Sequence, residues 1–136
     1  MSNPTVSVII PVYNAQDGIK QCLDSLLNQS FTDFEIILLN DGSTDNSLEV
    51  IKKYAAVNDF IRVIDKENEG VAKTRNKGIQ LANGKYIVFI DNDDFVDSDY
   101  LERFYNAIDQ EQLDIVLGSY KRVNQEMKLL ACIIHV

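Results

Sequence analysis

Short β-rich apolar runs that alternate with amphipathic helical segments constrain this chain more than any other feature. Val6-Ser7-Val8-Ile9-Ile10-Pro11 and Lys85-Tyr86-Ile87-Val88-Phe89-Ile90 read as buried strands, and Glu35-Ile36-Ile37-Leu38-Leu39-Asn40 and Ile61-Arg62-Val63-Ile64 as two more. Between the first two in order, Asp17 to Gln29 carries Ile19, Cys22, Leu23, Leu26 and Leu27 at helical spacing, which makes one apolar face. A second helix follows the turn Asp41-Gly42-Ser43-Thr44, where Ser43 or Thr44 caps it, and runs to about Ala56. A third covers Glu69 to Asn83 and stops at Asn83-Gly84. This alternation predicts an α/β fold: a mostly parallel sheet with helices on both faces and right-handed crossovers.

Further on, Ser98 or Asp99 caps a helix bearing Leu101, Phe104, Tyr105 and Ile108, and Leu113-Asp114-Ile115-Val116-Leu117 reads as a fifth strand. Leu129 to Val136 is apolar and fits either another strand or the cut end of a longer unit. Such an edge would expose apolar surface and invite self-association.

The length of 136 residues suits one domain. Thirteen Lys+Arg against 21 Asp+Glu give a net charge of -8, which argues against a nucleic-acid surface, since that needs a basic stripe. The same charge repels a free anionic ligand unless a metal or local cations intervene. Cys22 and Cys132 show no metal-ligand or redox spacing, and Cys22 fits a small core residue. No positive charge precedes the first apolar run, and no run approaches the ~20 residues of a membrane helix. The expectation is a cytoplasmic protein, with peripheral membrane association through partners left open.

Parallel sheets bind ligands at the carboxyl ends of their strands. Three polar turns fall there: Val12-Tyr13-Asn14, Asn40-Asp41-Gly42 and Asp91-Asn92-Asp93-Asp94. Three carboxylates at the exit of an apolar strand repel one another and raise each other's pKa. The usual relief is a hard cation with oxygen ligands, Mn²⁺ or Mg²⁺, of the kind that holds substrate phosphates. Asp93 is the first choice as direct ligand; Asp91 would contact ribose or the metal's water shell, and Asp94 could instead cap the turn. The alternative is an ordinary Asp/Asn-rich surface turn.

Tyr13 offers a flat face on which a base can stack, or packs against the sheet edge. Asp41 can accept a hydrogen bond from an imide N–H such as that of uracil, or serve a helix-capping turn. In Asn68-Glu69-Gly70-Val71-Ala72-Lys73-Thr74-Arg75-Asn76-Lys77-Gly78, Gly70 opens a helix N-terminus, where free N–H groups attract phosphate. Arg75 could reach a diphosphate or ribose; Lys73 and Lys77 fit a solvated basic face equally well.

Taken together these motifs resemble the nucleotide-sugar half of the inverting glycosyltransferase family 2, which has the Rossmann-like GT-A fold. The matching residues are Val6 to Asn14, Asn40-Asp41-Gly42-Ser43-Thr44-Asp45, Asn68-Glu69-Gly70 with Arg75-Asn76-Lys77-Gly78, and Phe89 to Asp94, within a similarity running from about Thr5 to Val123. The resemblance implies that Pro11 and Tyr13 lie along the base, that Asp41 binds the uracil ring or its equivalent, and that Arg75 lies near the donor. It also makes Asp91 and Asp93 the acids of an Asp-x-Asp motif, both set at the metal, with Asn14 and Asn92 in the substrate-binding set. The implied reaction moves a sugar from a nucleotide-diphosphate sugar, expected to be a UDP-sugar, to a hydroxyl of a glycan or lipid-linked acceptor with inversion. Asn40 departs from the paired acids common in the family. The family's acceptor half and catalytic base lie downstream of the Asp-x-Asp motif, so the acceptor-side half is expected to be missing or incomplete here and no base is assigned. The alternatives are a nucleotide-sugar-binding module without turnover or an inactive fragment; a metal-dependent nucleotidyltransferase would want a glycine- and lysine-rich loop that Val12 to Gly18 lacks.

Overall fold

The computed structural model describes residues 3–112, 120–123 and 129–133. Contacts divide the chain into two compact units, Met1–Ser98 and Asp99–Val136.

In the first unit, β1 (Val6–Val12), β2 (Phe34–Asp41), β3 (Ile61–Lys66) and β4 (Tyr86–Phe89) form one sheet in the order β3-β2-β1-β4. Every pairing in it is parallel. The helices α1 (Ile19–Leu27), α2 (Ser47–Val57) and α3 (Val71–Leu81) alternate with the strands. The chain first steps outward from β1 through β2 to β3, then returns to the other side of β1 for β4. With right-handed crossovers this reversal sends α1 and α2 to one face and α3 to the other. It also puts a switch point beside β1, where open α/β sheets bind ligands.

The central strands are apolar because both of their faces are covered. Every residue of β1 and β2 is buried. On one face Ile9, Ile37 and Leu39 pack with Ile64, Leu81 and Ala82. Here α3 comes so close that a Cβ on Gly78 would lie 2.5 Å from Cγ2 of Ile9, so a glycine is needed for the contact. On the alternate face Val8, Ile10, Ile36 and Leu38 are fully buried, as are Ile19, Cys22, Leu23 and Leu26 of α1 and Ile51 of α2. The Tyr54 hydroxyl donates to Asp24 at 2.7 Å, tying α2 to α1.

Three expectations need correction. First, β4 is not a buried strand: its residues alternate between half-buried and exposed, with Ile87 at 39% and Phe89 at 44% exposure. It lies at the edge of the four-stranded sheet, so it has a strand neighbour on one side only among the described residues. Second, neither Ser43 nor Thr44 caps α2, which begins later, after Asn46. Asp45 instead accepts from the Ser47 N–H at 2.9 Å, while Ser43 and Thr44 bond across to the neighbouring turn. Third, Asp99 precedes α4 (Tyr100–Glu111) but makes no side-chain cap bond.

In the second unit, β5 (Tyr120–Val123) pairs antiparallel with β6 (Leu129–Ile133), so part of the apolar tail is a strand. The fifth strand expected at Leu113 to Leu117 lies outside the described residues. Self-association through Leu129 to Val136 rests on side chains that are likewise outside them. Among the described residues no helix is long and apolar enough to cross a membrane.

Candidate functional site

The carboxyl ends of β1, β2 and β4 converge on an open cavity of about 500 Å³. Pro11, Tyr13, Asp41, Asn68, Gly70, Val71, Asp91, Asn92 and Asp93 line it. All three polar turns read from the sequence therefore meet at one crevice.

Two of those turns are laced together. Asn14 takes a left-handed backbone, φ 47°, which asparagine tolerates. Its N–H donates to the Ser43 hydroxyl at 3.0 Å, and its side-chain oxygen accepts from the Thr44 N–H at 2.8 Å. One residue on, the Ala15 N–H donates to the Ser47 hydroxyl at 2.7 Å. Asn14 thus braces the loops and does not line the cavity. Tyr13, beside it, is 49% exposed and lines the cavity.

Asp41 closes the end of β2. Its carboxylate accepts from the Lys66 ammonium at 2.9 Å, the Glu69 N–H at 2.8 Å and the Gly70 N–H at 3.1 Å. Burial alone would raise its pKa; the Lys66 ammonium, the Glu69 N–H and the Thr74 hydroxyl outweigh that and hold it below the ordinary aspartate value. Two of the three bonds fall on one carboxylate oxygen. The other accepts from the Gly70 N–H, and since a carboxylate oxygen can accept more than one bond, Asp41 at the cavity wall can also take an imide N–H. Gly42 makes this loop possible: its φ is +70°, and a Cβ there would lie 2.8 Å from the Asn68 backbone nitrogen. Gly70, at φ 91°, then turns the chain into α3.

Lys66 was missed by the sequence reading, which ends β3 at Ile64. The strand runs two residues further, and parallel register sets Lys66 directly beside Asp41. Lys66 also donates to the Thr74 hydroxyl at 3.2 Å and is nearly buried. Asn68 and Val71, both in the cavity lining, belong to the motif read from Asn68 to Gly78 but were given no role of their own. Asn40, the departure from paired acids, is buried and donates to Asp65 at 2.9 Å.

Ligand oxygens of Asp91, Asp93 and Asp94 lie within 4.8 Å of one another, and all three residues are exposed. The Asp94 N–H donates to the Asp91 carbonyl at 3.1 Å, closing the turn. Partial burial, then the charges of Asp93 and Asp91, raise the Asp94 pKa. Behind the turn, burial and the same carboxylates push the Cys22 thiol up to about 12, so it stays a neutral core group. Asn92 donates to the Pro11 carbonyl at 3.1 Å, anchoring the acidic turn to β1. Arg75 pairs with Asp91 at 2.9 Å and lies over the Phe89 ring at 6.0 Å. Arg75 is outside the cavity lining and reaches the site through Asp91. Three all-oxygen donors at this spacing suit a small hard cation.

Comparison with known proteins agrees with this geometry. The Glycosyl transferase family 2 model matches residues 7–131. The chain is 48% identical over 120 residues to the glycosyltransferase EpsJ of Bacillus subtilis, covering 88% of this chain and 35% of that protein. It is 42% identical over 123 residues to the poly(ribitol-phosphate) beta-glucosyltransferase of Bacillus spizizenii, covering 88% of this chain and 19% of that one. The chain thus spans well under half the length of the curated relatives it matches. The structure of S. aureus TarS 1–349 in complex with UDP-GlcNAc superposes with a TM-score of 0.83 at 33% identity, covering 89% of this chain and 36% of that one. The mannosyltransferase PcManGT of Pyrobaculum calidifontis shares the fold at a TM-score of 0.74, 24% identity and coverage of 90% and 37%. With a family match that takes in all but the first residue of the four-stranded sheet, and its acidic turn, the chain belongs to glycosyltransferase family 2.

Proposed function

We propose that this chain is the donor-binding part of an inverting, metal-dependent glycosyltransferase that takes a UDP-sugar and serves cell-surface glycan synthesis. The observation that carries the reading is the convergence of Tyr13, Asp41 and the Asp91–Asp93 turn on one cavity. An exposed aromatic face, an acceptor for an imide and a carboxylate cluster are what base, ring N–H and metal-bound diphosphate each require. The UDP-GlcNAc complex of TarS and the polymer named for the Bacillus spizizenii relative support the donor and acceptor classes.

In this reading Tyr13 and Pro11 flank the base and Asp41 accepts from its N–H. Asp93 is the primary holder of Mn²⁺ or Mg²⁺, with Asp91 and Asp94 beside it. Bound there, the cation would neutralise charge on the departing diphosphate. The pairing of Arg75 with Asp91 is exposed on both sides and so weak enough to open when the donor arrives. The acceptor would be a hydroxyl of a glycan or lipid-linked glycan, attacking the sugar C1 from the side opposite the diphosphate. No described residue is assigned as the base that removes its proton. The expected cytoplasmic location goes with this reading.

Base preference tests it. With Mn²⁺ present, UDP should bind at least tenfold tighter than CDP in a competition titration, because Asp41 offers an acceptor to the uracil N3–H where cytosine presents an acceptor nitrogen instead. Equal binding of UDP and CDP would remove Asp41 from base recognition.

A further inference from the structure

One edge of α1 runs alongside the whole acidic turn and the chain that leaves it. Gly18 packs on the turn: a Cβ there would meet the Asp93 Cα at 3.5 Å and the Asn92 carbonyl oxygen at 3.7 Å, ordinary contact distances. The Cys22 thiol points to the Asp91 carbonyl, with sulfur and oxygen 3.7 Å apart. The Ser25 hydroxyl accepts from the Val96 N–H at 3.2 Å and donates to the Cys22 carbonyl at 2.7 Å. The Gln29 amide, nearly buried, donates to the Asp97 carbonyl at 2.6 Å and back to the Ser25 carbonyl at 3.1 Å. Finally the Ser30 N–H donates to the Ser98 carbonyl at 2.8 Å.

Cys22, Ser25 and Gln29 are spaced three and four apart, so they form one seam of the helix and its exit. The segment they hold carries Asp91, Asp93, Asp94 and Asp97. Like charges so close would splay an untethered loop. A cation on α1 could hold it, but would cancel the negative potential that a metal needs. The contacts above are neutral and go to the backbone of the loop, so they hold it and leave its charge in place.

We infer that Ser25 and Gln29 are positioning residues, which hold the Asp91–Asp94 carboxylates in a metal-ready arrangement through the backbone of residues 91–98. The inference rests on the donor-site reading above. Outer groups that orient metal ligands are worth about 10–100-fold in affinity.

The test uses the 136-residue chain. UDP affinity is measured by calorimetry with and without Mn²⁺ for wild type, Ser25→Ala, Gln29→Met, the double variant and Ser25→Thr. Amide exchange of Val96 is followed by NMR. Expected are a roughly tenfold loss of Mn²⁺-dependent UDP affinity in the double variant, a metal-free affinity within about twofold of wild type, and faster Val96 exchange. Ser25→Thr keeps the hydroxyl and should restore the affinity lost in Ser25→Ala. Should the double variant not fold, Ser25→Ala and its threonine rescue decide the matter. Unchanged metal-dependent affinity overturns the inference. So does a parallel fall of metal-free and metal-dependent binding, which is the mark of a merely structural role. Wild-type chain that binds no UDP even with Mn²⁺ overturns the donor-site reading, and this inference with it; binding by wild type without loss in the variants overturns the inference alone.

Discussion

Asp93→Ala abolishes Mn²⁺-dependent UDP binding and leaves the fold intact. Asp93 is exposed, so truncating it opens no core cavity. Its carboxylate is one of three that crowd within 4.8 Å, so its loss removes both a ligand and about a third of the site's charge. Groups that only orient a ligand change metal affinity by ~10–100-fold, so loss of a direct ligand should exceed about 100-fold. Thermal unfolding of the metal-free variant should match wild type or rise slightly, because a repulsion is gone. The charge of Asp93 is also one of the causes that raise the Asp94 pKa, so that pKa should fall toward the ordinary aspartate value in the variant. Titration of UDP with Mn²⁺ checks the first claim and carboxyl chemical shifts the last. Unchanged UDP affinity would remove Asp93 from the metal site.

The second large effect is at Asp41, where fold and site share a residue. Asp41→Ala takes from the nearly buried Lys66 ammonium its nearest carboxylate, leaving it the Glu67 carbonyl, the Thr74 hydroxyl and the more exposed Glu69 carboxylate at 3.7 Å, and it strips the Glu69 and Gly70 N–H groups of their acceptor. Breaking a buried pair from one side costs on the order of 3–5 kcal/mol, so the midpoint of urea unfolding should drop steeply and UDP binding should vanish. The sign with pH follows from the lowered folded pKa. A depressed aspartate contributes stability above its unfolded value of about 3.9 and loses it as pH falls through the lower folded value. The stability gap between wild type and Asp41→Asn should therefore be constant from neutral pH down to about pH 5 and close below about pH 4. A gap that widens on acidification would contradict the ion-pair account, and an Asp41→Ala variant as stable as wild type would show that Glu67, Thr74 and Glu69 suffice to hold Lys66.

How much of this was legible in the sequence differs from element to element. β1 and β2 were plain because both faces are covered, so every position must be apolar or paired, and Ile36 to Leu39 has no other reading. β4 has the same composition, but Ile87 and Phe89 sit on an edge, and composition does not say which neighbours a strand will have. The three polar turns could be assigned to one crevice from parallel topology alone. Their internal wiring could not. Asn14 has the chemistry of a ligand contact, yet its oxygen goes to Thr44, a pairing set by the spacing of two loops some thirty residues apart. Lys66 was hidden because Asp65-Lys66 looks like a strand's polar end; only register with Asn40 and Asp41 makes it a partner. The seam on α1 was hidden for a similar reason. Cys22 was legible as core, but Ser25 and Gln29 are ordinary helix-surface residues until the loop they hold is seen beside them.

The central claim is that the three turns form a metal-dependent site for a uridine diphosphate donor. The most direct test is a calorimetric titration of the chain with UDP, with and without Mn²⁺. The account predicts saturable binding with Mn²⁺ that weakens at least tenfold when the metal is removed by chelation, because the -8 chain repels a bare diphosphate. Binding of equal strength without the metal would show that the acidic turn does not hold the diphosphate, and absence of binding under both conditions would contradict the site altogether.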